Sequence, residues 1–217
     1  MSSNQAHRDP GKKHAEILAA ATTRFGRDGY EHTRWADVAA DVGVGPTALY
    51  HYFESKLHCV YVIMDEAIED FHARFVALTT GVHEPLHGLA AVLQDCFDLT
   101  EQDVLRNRVL VCEQGFLASP RTSAREEQAR QQARARAREL RSAWESFLAD
   151  AMRRGVIPES DTRLLTRAVL GLYNSVWQWY RPGGIATLEP IAEFFRDRAL
   201  AVIGVEPGGV IRPCKVA

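Results

Sequence analysis

The segment 38–56, VAADVGVGPTALYHYFESK, has the spacing of two short helices joined by a tight turn. Ala39 is small where two helices must cross closely, and Gly43 can adopt the positive φ that ends the first helix. Leu49 is apolar and can hold the second helix against the first. Pro46 lies at or next to the first position of that helix, where its missing N–H is not needed. This spacing predicts a helix-turn-helix, whose second helix enters the major groove of DNA.

The residues after this frame are suited to phosphate contacts. Tyr50, His51 and Tyr52 are consecutive, and a helix cannot bury three consecutive side chains on one face, so at least one should point outward. Ser55 predicts an N-cap, which places Lys56 in the first turn of the next helix. A cation opposes the helix dipole there, whereas an anion bound between Lys56 and the helix N-terminus would explain it. The alternative is that the tyrosines pack and Lys56 is solvated.

The segment from Lys12 to Met64 resembles the N-terminal domain of the TetR family of transcriptional regulators. The motifs that carry this resemblance are AATTRFGRDGYEHT, DVAADVGVG and LYHYFESK. The resemblance implies phosphate contacts by Thr33, Tyr50, Tyr52 and Lys56, and groove contacts by Pro46, Thr47, Ala48 and His51.

The chain departs from the family pattern at the start of the second helix and after Lys56. Arg34 replaces the usual Ser or Thr cap and can reach a phosphate or a base edge. The next residue, Trp35, is unusually large, and we expect it to pack on the first helix near Tyr30. The glutamate expected after Lys56 is replaced by the pair Leu57–His58, so that capping box is absent.

Composition and charge limit what this chain can be. Its 217 residues, 46% of them apolar, can bury a core and form one or two domains. The formal net charge is −2, and basic and acidic residues are equal in number over residues 1–56. Affinity for nucleic acid must therefore come from the placement of individual cations and helix ends, and we expect it to be salt-sensitive.

The sequence predicts a cytoplasmic protein without a membrane span, a cofactor or a metal site. It has no apolar run of about twenty residues, and its N-terminus lacks the apolar core of a signal peptide. The cysteines are dispersed, which is typical of free thiols: Cys59, Cys96, Cys112 and Cys214. His83 and His87 are four residues apart, but Pro85 between them argues against the regular helix that a metal pair needs.

Helical periodicity extends over the rest of the chain, without strand-like alternation or a repeat. The predicted helices outside the motif cover about 12–28, 55–79, 86–99, 103–112, 124–154, 161–180 and 188–205. The patterns predict an all-α protein with a three-helix DNA-binding helix-turn-helix domain at 1–54. A helical ligand-binding and dimerisation domain should follow at 55–205, with a flexible tail at 206–217.

The last two predicted helices indicate a homodimer. Residues 161–180 are apolar on nearly every side, and 188–205 add further large apolar side chains. A helix without a polar face must be covered on both sides, by its own core and by a partner subunit. Gly171 and Ser175 allow close approach at such an interface. Burial inside a monomer is the alternative, but a twofold dimer suits two half-sites about 34 Å apart.

Aromatic side chains of the C-terminal helices can line an apolar ligand pocket, although each one alone is more typical of a core. The segment Gly171–Gly184, GLYNSVWQWYRPGG, resembles part of TetR-family regulators of fatty-acid and steroid-ring breakdown, several of which respond to acyl-CoA thioesters. Asn174 and Trp179–Pro182 match, whereas Ser175 replaces a common aromatic residue. The predicted ligand contacts are Phe71, Phe97, Phe116, Trp144, Phe147, Tyr173, Asn174, Trp177 and Arg181.

Residues 121–141 carry an excess of arginine. Such a segment is typical of the solvated face of a long helix with i,i+4 ion pairs. The alternative is a cationic rim for a phosphate-bearing ligand such as CoA, because arginine can bind phosphate through two N–H groups.

Two classes of function can be compared. A helical body behind a helix-turn-helix predicts a repressor, in which a dimer binds a palindromic operator and a small hydrophobic effector releases it. An acyl-CoA thioester is the candidate effector. The alternative is an all-helical enzyme acting on an acyl thioester with an incidental helix-turn-helix. The sequence has no GxSxG, CxxC, HExxH or glycine-rich phosphate loop, which favours the repressor.

Overall fold

The computed structural model describes residues 10–205, and within that range the chain forms helices and turns with no β-strand. The α-helices are α1 Pro10–Asp28, α2 Trp35–Asp41, α3 Pro46–Leu49, α4 Lys56–Thr79, α5 Pro85–Asp95, α6 Glu101–Cys112, α7 Ala124–Arg153, α8 Thr162–Trp179 and α9 Leu188–Ile203. A single 3₁₀ turn covers Gln114–Leu117. The predicted all-α fold is confirmed, and the predicted tail at 206–217 lies outside the described residues.

The largest difference from the predicted helices lies between α5 and α6. The fifth helix ends at Asp95 rather than near Leu99, and the sixth begins at Glu101. Thr100 explains the new start, because its hydroxyl accepts a hydrogen bond from the Asp103 N–H while the Asp103 carboxylate accepts one from the Thr100 N–H. This reciprocal capping fixes a helix N-terminus two residues earlier than the apolar periodicity indicates.

The N-terminal helices enclose a small apolar core of their own. Its buried members include Ile17 and Phe25 of α1, Val38 of α2 and Leu49 of α3. The first turns of α4 complete this core as far as Met64. Helices α6 and α7 also contribute to it, so the N-terminal unit is packed against the rest of the molecule. The domain boundary at 54/55 stays a prediction.

The second core lies among α4–α9. Helix α4 links the two cores because it contributes residues to both, and it packs along α7. Phe71 and Phe75 of α4 belong to the second core, two to three turns beyond Met64. Trp144 and Trp177 are fully buried there, and the ring centroids of Phe75 and Trp144 lie 4.7 Å apart. None of the described helices has the length and apolar character needed to cross a bilayer.

Candidate nucleic-acid interface and ligand cavity

The turn between α2 and α3 has the backbone geometry that the sequence predicts. Gly43 has φ +67°, and its N–H donates to the Ala40 carbonyl at 3.1 Å. The Val44 N–H donates to the Ala39 carbonyl at 3.0 Å. These two bonds form a Schellman motif, which ends α2 at a left-handed glycine. The chain therefore reverses abruptly, and α3 begins within a few residues.

Helix α3 is a single turn held against the core by one residue. Gly45 is its extended N-cap and Pro46 occupies its first turn. Leu49 is fully buried, and its carbonyl accepts hydrogen bonds from the N–H groups of Tyr52 at 3.0 Å and Phe53 at 2.9 Å. The turn thus continues to Phe53, which is also fully buried. Burial of Leu49 and Phe53 turns the residues around them outward.

The outward-facing residues are those that the resemblance assigns to DNA. Pro46, Thr47, Tyr50 and His51 are exposed, while Ala48 and Tyr52 are half-buried. The Tyr50 side chain is 54% exposed, which is unusual for a large aromatic residue. Among the described residues its hydroxyl has no hydrogen-bond partner. We call residues 46–52 the tip. The predicted groove and phosphate contacts of the tip stay predictions, and its exposed side chains are accessible to DNA.

Lys56 has a structural role that the sequence analysis missed. Its ammonium group donates to the carbonyls of Tyr30 at 2.7 Å and Thr33 at 3.0 Å, and it lies 3.8 Å from the centroid of the Tyr30 ring. These contacts explain a cation at the N-terminus of α4 without an anion, so our reasoning from the dipole was incomplete. Burial lowers the pKa of Lys56. These two bonds use two of its three N–H donors, and the phosphate contact of Lys56 stays a prediction.

The hydroxyl of Thr33 is also used in a hydrogen bond within the protein. It is buried, and its hydroxyl donates to the Gly29 carbonyl at 2.9 Å. A phosphate oxygen can only accept hydrogen bonds, so a phosphate contact through this hydroxyl requires the bond to Gly29 to break. The phosphate role of Thr33 stays a prediction, and the observed bond instead orders the turn between α1 and α2.

Arg34 is exposed to solvent, whereas its neighbour Trp35 packs against other aromatic side chains. The Arg34 side chain is exposed at the N-cap of α2 and has no hydrogen bond or ion pair within residues 10–205. It is free to reach DNA. The Trp35 ring stacks on Phe25 of α1 with centroids 6.5 Å apart and meets Phe53 edge-on at 6.3 Å. The prediction that Trp35 packs on the first helix is confirmed.

The N-terminus of α4 is tied to the N-terminus of α7. The Ser55 hydroxyl accepts a hydrogen bond from the His58 N–H at 2.9 Å, which confirms the predicted N-cap, and donates to the Glu126 carboxylate. In return, the Ser123 hydroxyl donates to Glu54 at 2.6 Å. This exchange between two helix caps holds the start of α4 against the start of α7.

Replacing Tyr50 by phenylalanine is expected to weaken binding to all DNA sequences about equally, by roughly 3–10-fold, because only one hydroxyl–phosphate bond is lost. The dependence of binding on salt should be nearly unchanged, since tyrosine carries no charge. Gel shifts with one preferred and one random duplex over a range of salt concentrations measure both. Tyr180→Phe, at the end of α8, is the matched control. A loss confined to the preferred duplex would instead assign Tyr50 to base recognition.

A cavity of about 320 Å³ lies between α4, α6, α7 and α8. Three of the predicted ligand residues line it: Phe71, Tyr173 and Asn174. Its remaining apolar wall consists of Ala67, Ile68, Leu110, Val111, Leu117, Ala137, Leu140, Leu170 and Gly171. The prediction of an apolar pocket between the C-terminal helices is therefore consistent with the space that the structure leaves open.

The other predicted ligand residues do not line this cavity. Phe97 and Trp144 border a separate, nearly closed space of about 10 Å³, and Phe147 and Trp177 pack in the core. Phe116 contacts the Tyr30 ring edge-on at 4.9 Å, beside the N-terminal helices. Arg181 is exposed and donates to the carbonyls of Gln178 and Tyr180. An aromatic stripe predicts burial, but it does not indicate which space stays empty.

Among the polar residues of the cavity, the sequence analysis named Asn174 and, within the arginine-rich segment 121–141, Arg141, but it missed Asn107 and Arg167. Arg141 and Arg167 line the cavity, are exposed, and have no ion pair or hydrogen bond in the described part of the chain. Asn107 donates to the Tyr173 hydroxyl at 3.0 Å. Burial raises the pKa of Tyr173, so this hydroxyl stays neutral. The spacing of Arg167, four and seven residues before Gly171 and Asn174, is the signal that could have placed it on the same helix face.

The exposed faces of α8 and α9 carry large apolar side chains. Leu164 is 63% exposed, Phe194 56% and Val202 43%. Gly171 of α8 is also exposed, and an added Cβ there would meet nothing within 4 Å. The description of this helix as apolar on nearly every side was too strong, because Arg163 and Arg167 also face outward. The exposed residues of α8 therefore include both apolar and basic side chains.

Two family models match the chain in order. The model for bacterial regulatory proteins of the tetR family matches residues 17–60, and the model for the tetracyclin repressor-like C-terminal domain matches residues 104–203. Between them they cover more than half of the chain. The first includes the helix-turn-helix, and the second includes the cavity-lining parts of α6, α7 and α8.

Curated relatives and solved structures agree with these models. The chain is 26% identical over 203 residues to the HTH-type transcriptional repressor KstR2 of Mycobacterium tuberculosis, covering 91% of this chain and 95% of that protein. The TetR-family regulator PfmR from Thermus thermophilus is 26% identical, with a TM-score of 0.71 over 85% of this chain and 97% of its own. AibR in complex with isovaleryl coenzyme A and operator DNA shares the fold at 21% identity, with a TM-score of 0.70 and coverage of 86% and 97%.

Proposed function

Because the chain belongs to the TetR family of transcriptional regulators, we propose that it is a cytoplasmic repressor that binds a palindromic operator as a homodimer and is released by a small hydrophobic effector. One observation carries this proposal. Exposed residues around the buried Leu49 lie in the N-terminal unit, and a cavity lined by two unpaired arginines lies among the helices that follow. The first feature suits DNA and the second suits a ligand that controls it.

The exposed tip supports binding in the major groove. Thr47 and His51 can donate hydrogen bonds to base edges, and Tyr50 can donate to a phosphate oxygen on the flank. Arg34, which precedes α2, is an unpaired cation whose guanidinium can bind a second phosphate. The tip is fixed by Leu49 and Phe53, so binding does not have to order a mobile loop.

The exposed faces of α8 and α9 support a homodimer. Leu164, Phe194 and Val202 are large apolar side chains that stay exposed in the isolated chain and that a partner subunit would cover. The open space at Gly171 permits two copies of α8 to approach closely. A twofold axis through this face gives two identical reading tips, which matches an operator with two half-sites.

The cavity supports an effector with an apolar part and an anionic part. Its walls are mainly apolar, whereas Arg141 and Arg167 provide two cations that no described carboxylate neutralises. An acyl-CoA thioester has this chemistry, since its acyl chain is apolar and its nucleotide carries phosphates. A volume of about 320 Å³ suits the acyl portion, which leaves the nucleotide near the arginines at the rim.

A selection from genomic DNA tests the proposal. The purified protein should enrich a fragment from its own genome that contains an inverted repeat, and footprinting should protect both half-sites. A panel of acyl-CoA thioesters beginning with isovaleryl-CoA should then release the fragment, while free CoA and the free acids should not. Failure to enrich any fragment would reject the DNA-binding role. Hydrolysis of a thioester by the protein would instead support the alternative enzyme.

Replacing Arg167 by glutamine is expected to raise the thioester concentration needed for half-maximal release by about 10–100-fold, because a charged hydrogen bond to phosphate is lost. Operator affinity without thioester should change less than about twofold. Fluorescence anisotropy of a labelled operator measures both quantities. Arg163→Gln, one turn earlier on α8 and outside the cavity, is the matched control. Equal effects of the two variants would remove Arg167 from the ligand site.

A further inference from the structure

Arg108 of α6 is a buried cation that joins two distant parts of the chain. Its side chain is only 4% exposed, and its Nε donates to the Gly26 carbonyl at 2.7 Å. Its Nη1 donates to the carbonyls of Trp177 at 2.9 Å and Tyr180 at 2.8 Å. Gly26 lies in the last turns of α1, beneath the helix-turn-helix, and the other two carbonyls lie at the end of α8.

The partners of Arg108 are unusual for a buried charge. No carboxylate of residues 10–205 lies within ion-pair distance, so the guanidinium is stabilised by carbonyls alone. These carbonyls belong to the C-terminal ends of α1 and α8, where the helix dipoles are negative. Withdrawing either helix would leave a buried cation without enough acceptors, which is costly. The two helix ends are therefore expected to move together with α6.

The contact between α1 and α6 is too close to slide freely. A Cβ added at Gly26 would lie 2.7 Å from both the Cβ and the carbonyl oxygen of Leu105. One turn earlier, the Gln102 side chain donates to the Ala19 carbonyl at 3.2 Å. Displacement of α6 must consequently displace α1 as well, or break the bond between Arg108 and Gly26.

The opposite face of α6 forms part of the cavity wall. Asn107, the neighbour of Arg108, lines the cavity and is bonded to Tyr173 of α8. Leu110 and Val111 lie on the same wall. A ligand that displaces Asn107 or Tyr173 therefore acts on the helix segment that carries Arg108.

We propose that Arg108 is a positioning residue that couples occupation of the cavity to the orientation of the DNA-binding helices. This inference rests on the proposed function, because it assumes that both sites are used. Coupling arises since Arg108 can satisfy all three carbonyls only in one relative placement of α1, α6 and α8. A ligand that favours another placement weakens DNA binding, and DNA weakens ligand binding by the same factor.

The test measures the coupling factor, the ratio of operator dissociation constants with and without a saturating thioester from the isovaleryl-CoA panel. The variant Arg108→Met keeps the length of the side chain and removes its donors. We expect the coupling factor to fall from the 5–150-fold range typical of allosteric proteins to within about twofold of one. Operator affinity without thioester should stay within about fivefold of the wild type. Arg106→Met is the matched control, because Arg106 lies on the same helix as Arg108 and loses only an ion pair with Asp70 of α4.

A second variant keeps the test valid if Arg108→Met does not fold. Gly26→Ala leaves Arg108 in place but forces α1 away from Leu105, and we expect it to lower the coupling factor at least fivefold. Melting curves establish that each variant is folded. Full coupling in a folded Arg108→Met protein, or an equal loss in Arg106→Met, overturns the inference.

Amide hydrogen exchange tests the role of Arg108 even if the proposed effector is wrong. If the wild type binds its operator but no thioester releases it, the effector proposal fails by itself. Operator binding should still change exchange at residues 177–184 of the wild type, and Arg108→Met should abolish that change. If the change persists in this variant, the proposed role of Arg108 is wrong. If the wild-type protein binds no operator, both the proposed function and the role of Arg108 are overturned.

Discussion

Replacing Leu164 by glutamate is expected to convert the protein into a monomer and to lower operator affinity by at least about 100-fold. Leu164 is 63% exposed on the α8 face that we assign to the dimer. A carboxylate there must be desolvated against its symmetry mate, and like charges at such an interface are unfavourable. A monomer retains one half-site contact and loses the avidity of two linked reading tips, which is worth about 10²–10⁴-fold.

Light scattering coupled to gel filtration measures the mass, and gel shifts measure operator affinity. Val76→Glu is the matched control, since Val76 is an exposed apolar residue of α4 and lies outside the assigned face. Phe194→Glu should resemble Leu164→Glu, although Arg198 lies over the Phe194 ring and can partly neutralise the new charge. A dimeric Leu164→Glu protein with normal affinity would show that the two copies meet elsewhere.

Replacing Trp144 by alanine is expected to lower the free energy of unfolding by about 3–5 kcal/mol, because the indole is fully buried against Phe75 and its removal leaves a cavity. For a chain of this size, the melting temperature should fall by roughly 6–20 °C. Chemical denaturation monitored by circular dichroism gives the free energy, and the slope with denaturant shows whether unfolding remains two-state.

Trp179→Ala is the matched control for this change. Trp179 is 50% exposed, and its replacement should alter stability by less than about 0.5 kcal/mol. The comparison also distinguishes the two roles considered for Trp144. A core residue lowers stability, whereas a ligand contact lowers the affinity for thioester in a protein of normal stability. The second result would return Trp144 to the ligand site.

The helix-turn-helix could be predicted because its signals are local. A left-handed glycine, a proline at a helix start and a buried leucine act through backbone angles within a few positions of Gly43, Pro46 and Leu49. The resulting exposure of Tyr50 and its neighbours follows from the same spacing. The same holds for the Ser55 cap of α4. The T-x-x-D capping box at Thr100 was also available in the sequence and was overlooked.

The residues that line the cavity could be predicted only in part. Phe71, Tyr173 and Asn174 line the cavity, but six other predicted residues do not. Burial of a side chain depends on helical spacing, which the sequence contains. The position of a cavity depends on how helices that are far apart along the chain pack against one another. Arg167 and Asn107 become candidate ligand contacts only because this packing places them at the cavity.

The sequence by itself determined the all-α class, the helix-turn-helix and the approximate ends of the helices, because each depends on residues that are neighbours along the chain. Tertiary structure alone decided the surroundings of three cations. Lys56 binds the carbonyls of a turn more than twenty residues earlier, Arg108 joins α1 to α8, and Arg167 faces the cavity unpaired. The physical reason is that a side-chain charge is stabilised by whichever groups surround it in space, and those groups come from helices whose packing no local pattern records.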